Sequence, residues 1–319
     1  MSDSDSVKET KSSPQVLKYV LPHDQAPERL DKVLARLVPE HSRSRLQGWI
    51  QAGHVLVNGS AARIRRPVQS GDCIVVHEQP TDESLAFAPE AIELNVIADS
   101  PDWIVINKPA GLVTHPGAGN WSGTLLNALL YHYPELAVVP RAGIVHRLDK
   151  ETSGVLVVAR HEKAQTHLVR QLQARSVQRE YHGFVHGLLK GSGAIDAPIG
   201  RDRRVPVRMA TERPVAAKQA LTHYQFLQAG ELPAGGQVTK VLCRLHTGRT
   251  HQIRVHLASI GHPLVGDTLY GGRATPACQR QMLHARTLGF IDYQSGKEVL
   301  FEARYPDDFD VLSEELWPD

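Results

Sequence analysis

The sequence has few cysteines and no long apolar run, which narrows the classes of protein it can represent. Its 319 residues include only Cys73, Cys243 and Cys278, which form no CxxC pair. This argues against a disulfide framework or a cysteine zinc site and indicates a reducing compartment, so we expect a cytoplasmic protein. No apolar run reaches the length of a membrane span, so none is expected. Residues 1–15 lack the basic and apolar regions of a signal peptide, and we expect them to be disordered.

Motifs that hold metals or nucleotide cofactors are also missing. There is no HExxH, and His246, His251 and His256 recur at intervals that do not align them on one helical face. The glycine-rich run from His115 to Asn120 lacks the Lys-Ser/Thr of a P-loop and does not open a Rossmann helix with the required spacing. We therefore expect neither a metal nor a small-molecule cofactor.

Charge is segregated along the chain although the formal net charge is only +2. Residues 29–66 carry eight basic and two acidic side chains, and residues 141–213 carry fourteen and seven. Between them, residues 78–102 carry seven acids and no Lys or Arg. Two basic segments of this kind favour binding to a phosphate backbone, although a solvated surface alone would also explain either one.

The N-terminal part has the pattern of a small module of two helices and short strands. Apolar side chains recur at helical spacing over residues 30–37, and Ser42 is a suitable N-cap for a second helix. Asn58-Gly59 is a strong hairpin signal, and residues 73–76 form an apolar strand. Residues 16–77 resemble an S4-type RNA-binding domain, which implies contact with structured RNA, including through Arg43 and Arg45.

The remainder of the chain predicts an α+β domain. Proline and acidic residues in 78–92 indicate a linker, and residues 93–319 then contain more strands than helices, without regular βαβ alternation. We expect a mixed, largely antiparallel sheet. The predicted strands are 94–97, 103–106, 155–159, 181–185, 221–227, 238–245 and 299–303, and the predicted helices are 124–133, 161–175 and 250–260.

Three polar motifs in this domain are candidates for a functional site. Asp149 lies between Arg147 and Lys150 in a tight turn, and nearby cations favour the ionised form that a nucleophile or electrostatic stabiliser needs. The same turn could equally be structural. Tyr181 opens a strand, where it could pack or stack on a base. The third motif is the run 245–256, in which Arg249 and Arg254 are suited to bind a phosphate or a carboxylate. Outside these motifs, the basic stretch 201–208, with Arg203 and Arg204, is either an RNA-facing loop or simply surface.

These residues alone favour RNA binding and do not reveal a reaction; a resemblance supplies one. Residues 146–149 (HRLD) with Gly154, residues 179–181 (REY), 247–254 (TGRTHQIR) and 264–272 (LVGDTLYGG) match motifs of the RluA-type pseudouridine synthases in order. The similarity is greatest to the branch that acts on large-subunit (23S) ribosomal RNA. The resemblance implies a mixed sheet split by a central cleft, and a monomeric isomerase that acts on ribosomal RNA or a pre-50S particle.

The resemblance also implies roles for individual residues. Asp149 would assist cleavage of the glycosidic bond, and Arg249 would hold its carboxylate ionised and oriented. Tyr181 would pack on the uracil and help to remove the C5 proton, and Arg147 would fill the gap left by a flipped base. We expect His146 and Arg254 to contact the RNA as well. Two alternatives stay open: the same chemistry on transfer RNA, and a non-catalytic RNA-binding factor of ribosome assembly.

Overall fold

The chain divides into two compact units. The computed structural model describes residues 15–79, 85–117, 119–233, 235–276 and 278–318, and the units are residues 1–85 and 86–319. The predicted disordered segment lies, except for Gln15, outside the described residues, as do residues 80–84 of the predicted linker. The division falls inside that linker, and the predicted limits 16–77 and 93–319 stay predictions. Among the described residues, no helix is long and apolar enough to cross a membrane.

The first unit combines two helices with two small sheets. One sheet has the strand order β1-β6-β3-β4, and β2 pairs with β5 in the other. The elements are β1 (Val16–Val20), β2 (Glu28–Arg29), α1 (Leu30–Leu37), α2 (Arg43–Gln51), β3 (Val55–Val57), β4 (Ser60–Ala61), β5 (Pro67–Val68) and β6 (Cys73–His77).

The local signals in this unit act as the sequence predicts. α1 buries Leu30, Val33 and Leu34, which are the apolar positions of the helical repeat. The Ser42 side chain caps α2. Asn58 and Gly59 both have positive φ, at 53° and 77°, as the tight turn between β3 and β4 requires.

The second unit is built on a nine-stranded sheet. Its strand order is β11-β15-β16-β10-β17-β9-β8-β7, with β18 paired to β17. The strands are β7 (Val96–Asp99), β8 (Trp103–Lys108), β9 (Ser153–Ala159), β10 (Gln178–His186), β11 (Ser192–Asp196), β12 (Ile199–Arg201), β13 (Met209–Ala210), β14 (Val215–Lys218), β15 (Leu221–Glu231), β16 (Gln237–Leu245), β17 (Leu283–Ile291) and β18 (Glu298–Glu302). The helices are α3 (Leu125–His132), α4 (Glu162–Ala174), α5 (Gln252–Ser259) and α6 (Asp307–Leu316), and β12, β13 and β14 form a separate three-stranded sheet.

The large sheet is mixed and mainly antiparallel, as predicted. β9 and β17 pair in parallel, and the other neighbouring strands pair antiparallel. All seven residues of β9 are buried. At the parallel contact, Gly154 has a φ of 119°, and a Cβ there would lie 2.2 Å from the carbonyl oxygen of Ala285. Glycine is therefore required directly after the Asp149 turn.

Several elements of the second unit were not predicted from the sequence: β11, β12, β13, β14, β17 and α6. β17 lies between β10 and β9, and its buried His284 and half-buried Arg286 interrupt the apolar run that would have revealed a strand. α6 begins with three acids in its first turn, so the sequence resembles an acidic tail. Its apolar side, with Phe309 and Leu312, is buried in a core cluster with Phe184.

Candidate active site

The Asp149 turn precedes β9, and side chains from another segment hold it by donating hydrogen bonds to its backbone carbonyls. The carbonyl oxygen of Leu148 accepts from Thr114 Oγ1 at 2.9 Å, and that of Lys150 accepts from Lys108 Nζ at 3.0 Å. Lys108 is the last residue of β8, and Thr114 lies in the loop that follows this strand. The backbone on each side of the carboxylate is therefore held by a neighbouring strand and loop, as preorganisation of a reactive group requires.

Lys108 is fully buried beneath this turn. Its Nζ also donates to the carbonyl oxygens of Pro109 at 2.7 Å and Leu112 at 2.8 Å. Burial lowers the pKa of Lys108 to about 7, while Glu151 and Asp149 act in the opposite direction. The side chain thus links three backbone carbonyls, and its pKa of about 7 leaves its positive charge only partly present at neutral pH.

Asp149 forms an ion pair with Arg254 of α5. Arg254 Nη1 donates to Asp149 Oδ2 at 3.2 Å, and the two side chains are 8 % and 17 % exposed. The rest of the guanidinium is held by Asp267, which accepts from Nε at 2.7 Å and from Nη2 at 2.9 Å. Burial opposes the charge of Arg254, but the Asp267 and Asp149 carboxylates raise the pKa of Arg254 overall. A bidentate clamp therefore aims the remaining donor at Asp149.

The prediction that Arg249 holds the Asp149 carboxylate is wrong, because Arg254 makes that contact. Arg249 lies in the turn before α5, where its Nε donates to the carbonyl oxygen of Gln219 at 3.1 Å. Its backbone N donates to Gln252 Oε1 at 3.0 Å. Arg254 lies in the first turn of α5 and directs its guanidinium at the carboxylate; its predicted contact with RNA stays a prediction. Arg249 does line the cleft, so its participation in catalysis stays a prediction.

His251 is a site residue that the sequence reasoning missed. Its Nε2 lies 3.9 Å from Asp149 Oδ2, and its Nδ1 is 2.7 Å from the hydroxyl of Tyr270. Burial lowers the pKa of His251, although Asp149 acts to raise it. It is the N-cap residue of α5, with a left-handed backbone at a φ of 56°, so helical spacing gave no signal for the position of its side chain.

The other two histidines of this motif do not join it. His256 is fully buried, and its ring nitrogens contact Thr222 Oγ1 and the carbonyl oxygen of Ala197, each at 2.9 Å. His246 is exposed. Within the described residues, no three His, Cys, Asp or Glu side chains are grouped so that they could hold a metal ion.

Tyr181 faces Asp149 across a cleft of about 120 Å³. It lies on β10, at a register shift against β17, and only 7 % of it is exposed. Burial raises the pKa of Tyr181; Arg179 opposes this, and Asp149 adds to it. The phenol is therefore neutral at physiological pH, with its ring on one wall of the cleft.

Arg147 and His146 precede Asp149 but differ in environment. Arg147 is exposed and lines the cleft. His146 Nε2 accepts a hydrogen bond from the backbone N of Val157 at 3.2 Å, which caps an N–H of β9. Burial, with the nearby Arg179, lowers the pKa of His146 to about 3. Its ring is thus engaged by the protein backbone, and its predicted contact with RNA stays a prediction.

The remaining predicted RNA contacts lie on the surfaces of their own units. Arg203 and Arg204 are exposed between β12 and β13. In the first unit, Arg43 Nη2 donates to the buried Asp31 at 2.6 Å, while the guanidinium of Arg45 lies 5.4 Å from the ring centroid of Trp49. Arg43 therefore has a structural contact in addition to any contact with RNA.

Comparison with known families agrees with this arrangement. Residues 102–259 match the family model described as RNA pseudouridylate synthase, and residues 28–74 match the S4 domain. The first match includes Asp149, Tyr181 and Arg254.

Curated relatives are similar over most of their length. The ribosomal large subunit pseudouridine synthase D of Nitrosomonas europaea is 48% identical over 305 residues, covering 93% of this chain and 86% of the relative. The proteins of the same name from Pseudomonas aeruginosa and Neisseria meningitidis serogroup B are each 46% identical, with 91% and 90% of this chain covered and 92% and 78% of the relatives. Among solved structures, human RNA pseudouridylate synthase domain containing 1 matches with a TM-score of 0.55 and 30% identity, covering 73% of this chain and 89% of that one.

Proposed function

This chain belongs to the RNA pseudouridylate synthase family, and on that premise we propose that it converts uridine to pseudouridine in large-subunit (23S) ribosomal RNA. One observation carries the proposal: Asp149 stands in a small cleft, paired with a clamped Arg254 and faced by Tyr181. Arg254 stabilises a negative charge on the carboxylate directly, and the buried Lys108 adds to this when it is protonated.

The roles of the cleft residues follow from the bonds that change. The C1′–N1 bond of uridine breaks and a C1′–C5 bond forms, while a proton leaves C5 and N1 takes one up. Asp149 provides the negative charge that assists departure of the uracil, as a nucleophile or as an ion. Tyr181 stacks on the detached ring and takes part in proton removal at C5.

Access of a base to this cleft requires it to leave its stack. Extrusion of a nucleotide costs a few kcal/mol. Arg147 is exposed at the cleft and carries a planar guanidinium, which can stack in the space that the base vacates and offset part of that cost.

The choice of ribosomal RNA rests on the relatives and on the S4 domain. The relatives are named as pseudouridine synthases of the ribosomal large subunit. The exposed Arg63 and Arg65 give the S4 unit a basic surface of the kind that binds RNA phosphates. Transfer RNA is the competing substrate, and incubation of the protein with unmodified transcripts of both RNAs, followed by pseudouridine mapping, separates the two.

The mechanism is tested with Asp149→Asn. The amide cannot carry the charge, so we expect pseudouridine formation on unmodified 23S transcripts to fall by more than about 10³-fold. Asp196→Asn, an exposed carboxylate of the same unit, is the matched control and should leave the rate unchanged. Near-normal turnover by Asp149→Asn would remove the carboxylate from the mechanism, whereas a wild type that forms no pseudouridine would leave a non-catalytic RNA-binding role as the better explanation of the fold.

A further inference from the structure

Arg179 is a buried cation that the mechanism above does not use. Only 9 % of the residue is exposed, and among the described residues no carboxylate lies within ion-pair distance of it. Its Nε is buried without a hydrogen-bond partner, and its Nη2 reaches only the carbonyl oxygen of Leu245, at 3.4 Å. Burial lowers the pKa of Arg179, which reflects the same cost of desolvating an unpaired charge.

An unpaired guanidinium of this kind is unfavourable in the free protein. A buried charge is normally paired, and leaving it alone costs stability that a bound anion would restore. The unpaired guanidinium of Arg179 is therefore suited to bind an anionic ligand, provided that an anion can reach it.

A second cavity gives that access. It has a volume of about 380 Å³, is open to solvent, and lies next to the Asp149 cleft, with which it shares His146, Arg179, Gly248 and Arg249. Its lining also includes Arg175 and His246 and contains no Asp or Glu. An opening with three arginines and no acid attracts anions and excludes cations.

Gly248 makes room for the Arg179 guanidinium between the two cavities. A Cβ at this position would lie 2.8 Å from Arg179 Nη1, closer than real Cβ contacts allow. Any side chain here would displace the guanidinium, so the present position of Arg179 depends on glycine in the turn before α5.

We propose that this basic cavity binds a backbone phosphate of the RNA beside the target nucleotide, with Arg179 as the principal contact and Arg175 and Arg249 at the rim. The inference rests on the proposed function, because an RNA strand whose base occupies the Asp149 cleft carries its phosphates past the adjoining opening. Phosphate contacts position a nucleic acid without reading its sequence. The cavity would thus hold the strand in register while the base is in the cleft.

The test is single-turnover pseudouridine formation on unmodified 23S transcripts at a series of KCl concentrations, with Arg179→Met. Loss of one charged contact should raise the half-saturating protein concentration about tenfold. A plot of the logarithm of the half-saturating protein concentration against log[KCl] should also have a slope lower by about 0.7 to 0.9 for Arg179→Met than for the wild type. The saturating rate should stay within about threefold, and Tm should not fall, because an apolar side chain replaces an unpaired buried charge.

Two further variants distinguish binding from mere structure. Gly248→Ala keeps the charge of Arg179 but displaces the guanidinium. As a single change it should weaken RNA binding, and in the double variant it should add little to the effect of Arg179→Met. Arg170→Gln, an exposed arginine of α4 outside the cavity lining, is the control and should change half-saturation less than the other variants.

The inference and the proposed function fail in different ways. A wild-type half-saturation and salt slope in Arg179→Met, or a lowered Tm with unchanged binding, would overturn the phosphate site. If the wild type modified no RNA, the proposed function would fail, and filter binding of the same transcripts by the same variants would still decide on the phosphate site.

Discussion

The Nη1 atom of Arg254 lies 3.2 Å from Oδ2 of Asp149 while Asp267 holds the other edge of the same guanidinium. The Asp149 carboxylate is therefore oriented by a cation that is itself oriented by a second, buried carboxylate. Since Asp267 is 1 % exposed and Arg254 is 8 % exposed, the geometry is fixed before RNA arrives, as electrostatic preorganisation requires.

Arg254→Lys should lower the saturating rate about 10²-fold. Lysine keeps the charge but cannot bridge Asp267 and Asp149 with a planar fork, so the carboxylate loses its orientation. Single-turnover rates at saturating protein measure this. The matched change Arg249→Lys should alter half-saturation more than rate, because Arg249 does not contact Asp149; equal losses of rate would contradict the assignment of Arg254.

Tyr181→Phe should slow proton removal from C5 and leave RNA binding intact. The ring and its packing remain, but the hydroxyl that we propose takes part in the proton transfer is lost, which should lower the rate roughly 10²-fold or more. RNA containing 5-deuterouridine should show a larger isotope effect with Tyr181→Phe than with the wild type. If Tyr181→Phe keeps the full rate without an isotope effect, the tyrosine is only a stacking platform.

Acid should destabilise the protein in part through His146. Its folded pKa, about 3, lies below the ordinary value of 6.5, so the unfolded chain binds a proton that the folded chain refuses as pH falls below 6.5. The contribution of neutral His146 to the free energy of unfolding is fully present above pH 6.5 and is lost progressively toward pH 3. The loss at pH 5 is about 1–2 kcal/mol. Denaturant unfolding of His146→Gln, which keeps an acceptor for the Val157 N–H, should show a flatter pH dependence than the wild type; parallel curves would count against this.

The first unit should supply salt-dependent RNA affinity with little effect on the stability of the second. Deletion of residues 1–85 should weaken binding to 23S transcripts and flatten its salt dependence while the remainder still unfolds cooperatively. Within the full chain, a double change of Arg63 and Arg65 to Gln removes two exposed charges and should lower the slope by about 1.4 to 1.8 without changing Tm.

Arg43 gives a contrasting prediction for the same unit. Arg43→Gln removes both hydrogen bonds from the Arg43 guanidinium to the buried Asp31, so it should lower Tm in addition to any effect on RNA affinity. A variant that binds more weakly with unchanged Tm would show that the contact with Asp31 contributes no stability.

Local sequence patterns correctly predicted several elements of the fold. The helical repeat over residues 30–37, the Ser42 cap and the Asn58-Gly59 turn act over a few residues, so they could be interpreted without tertiary information. β17 could not, because its buried His284 and half-buried Arg286 find partners only from other strands and loops, which the sequence does not reveal.

The sequence by itself determined the α+β class, the S4 and pseudouridine synthase motifs, and Asp149 with Tyr181 as candidates, because these depend on short-range spacing and motif order. Only the tertiary structure decided that Arg254 and not Arg249 meets Asp149, that His251 lies beside it, and that Arg179 is buried without a carboxylate. The physical reason is that an ion pair is set by atomic distance across the fold. Two arginines five residues apart share a motif, but the start of α5 between them directs their side chains to different partners.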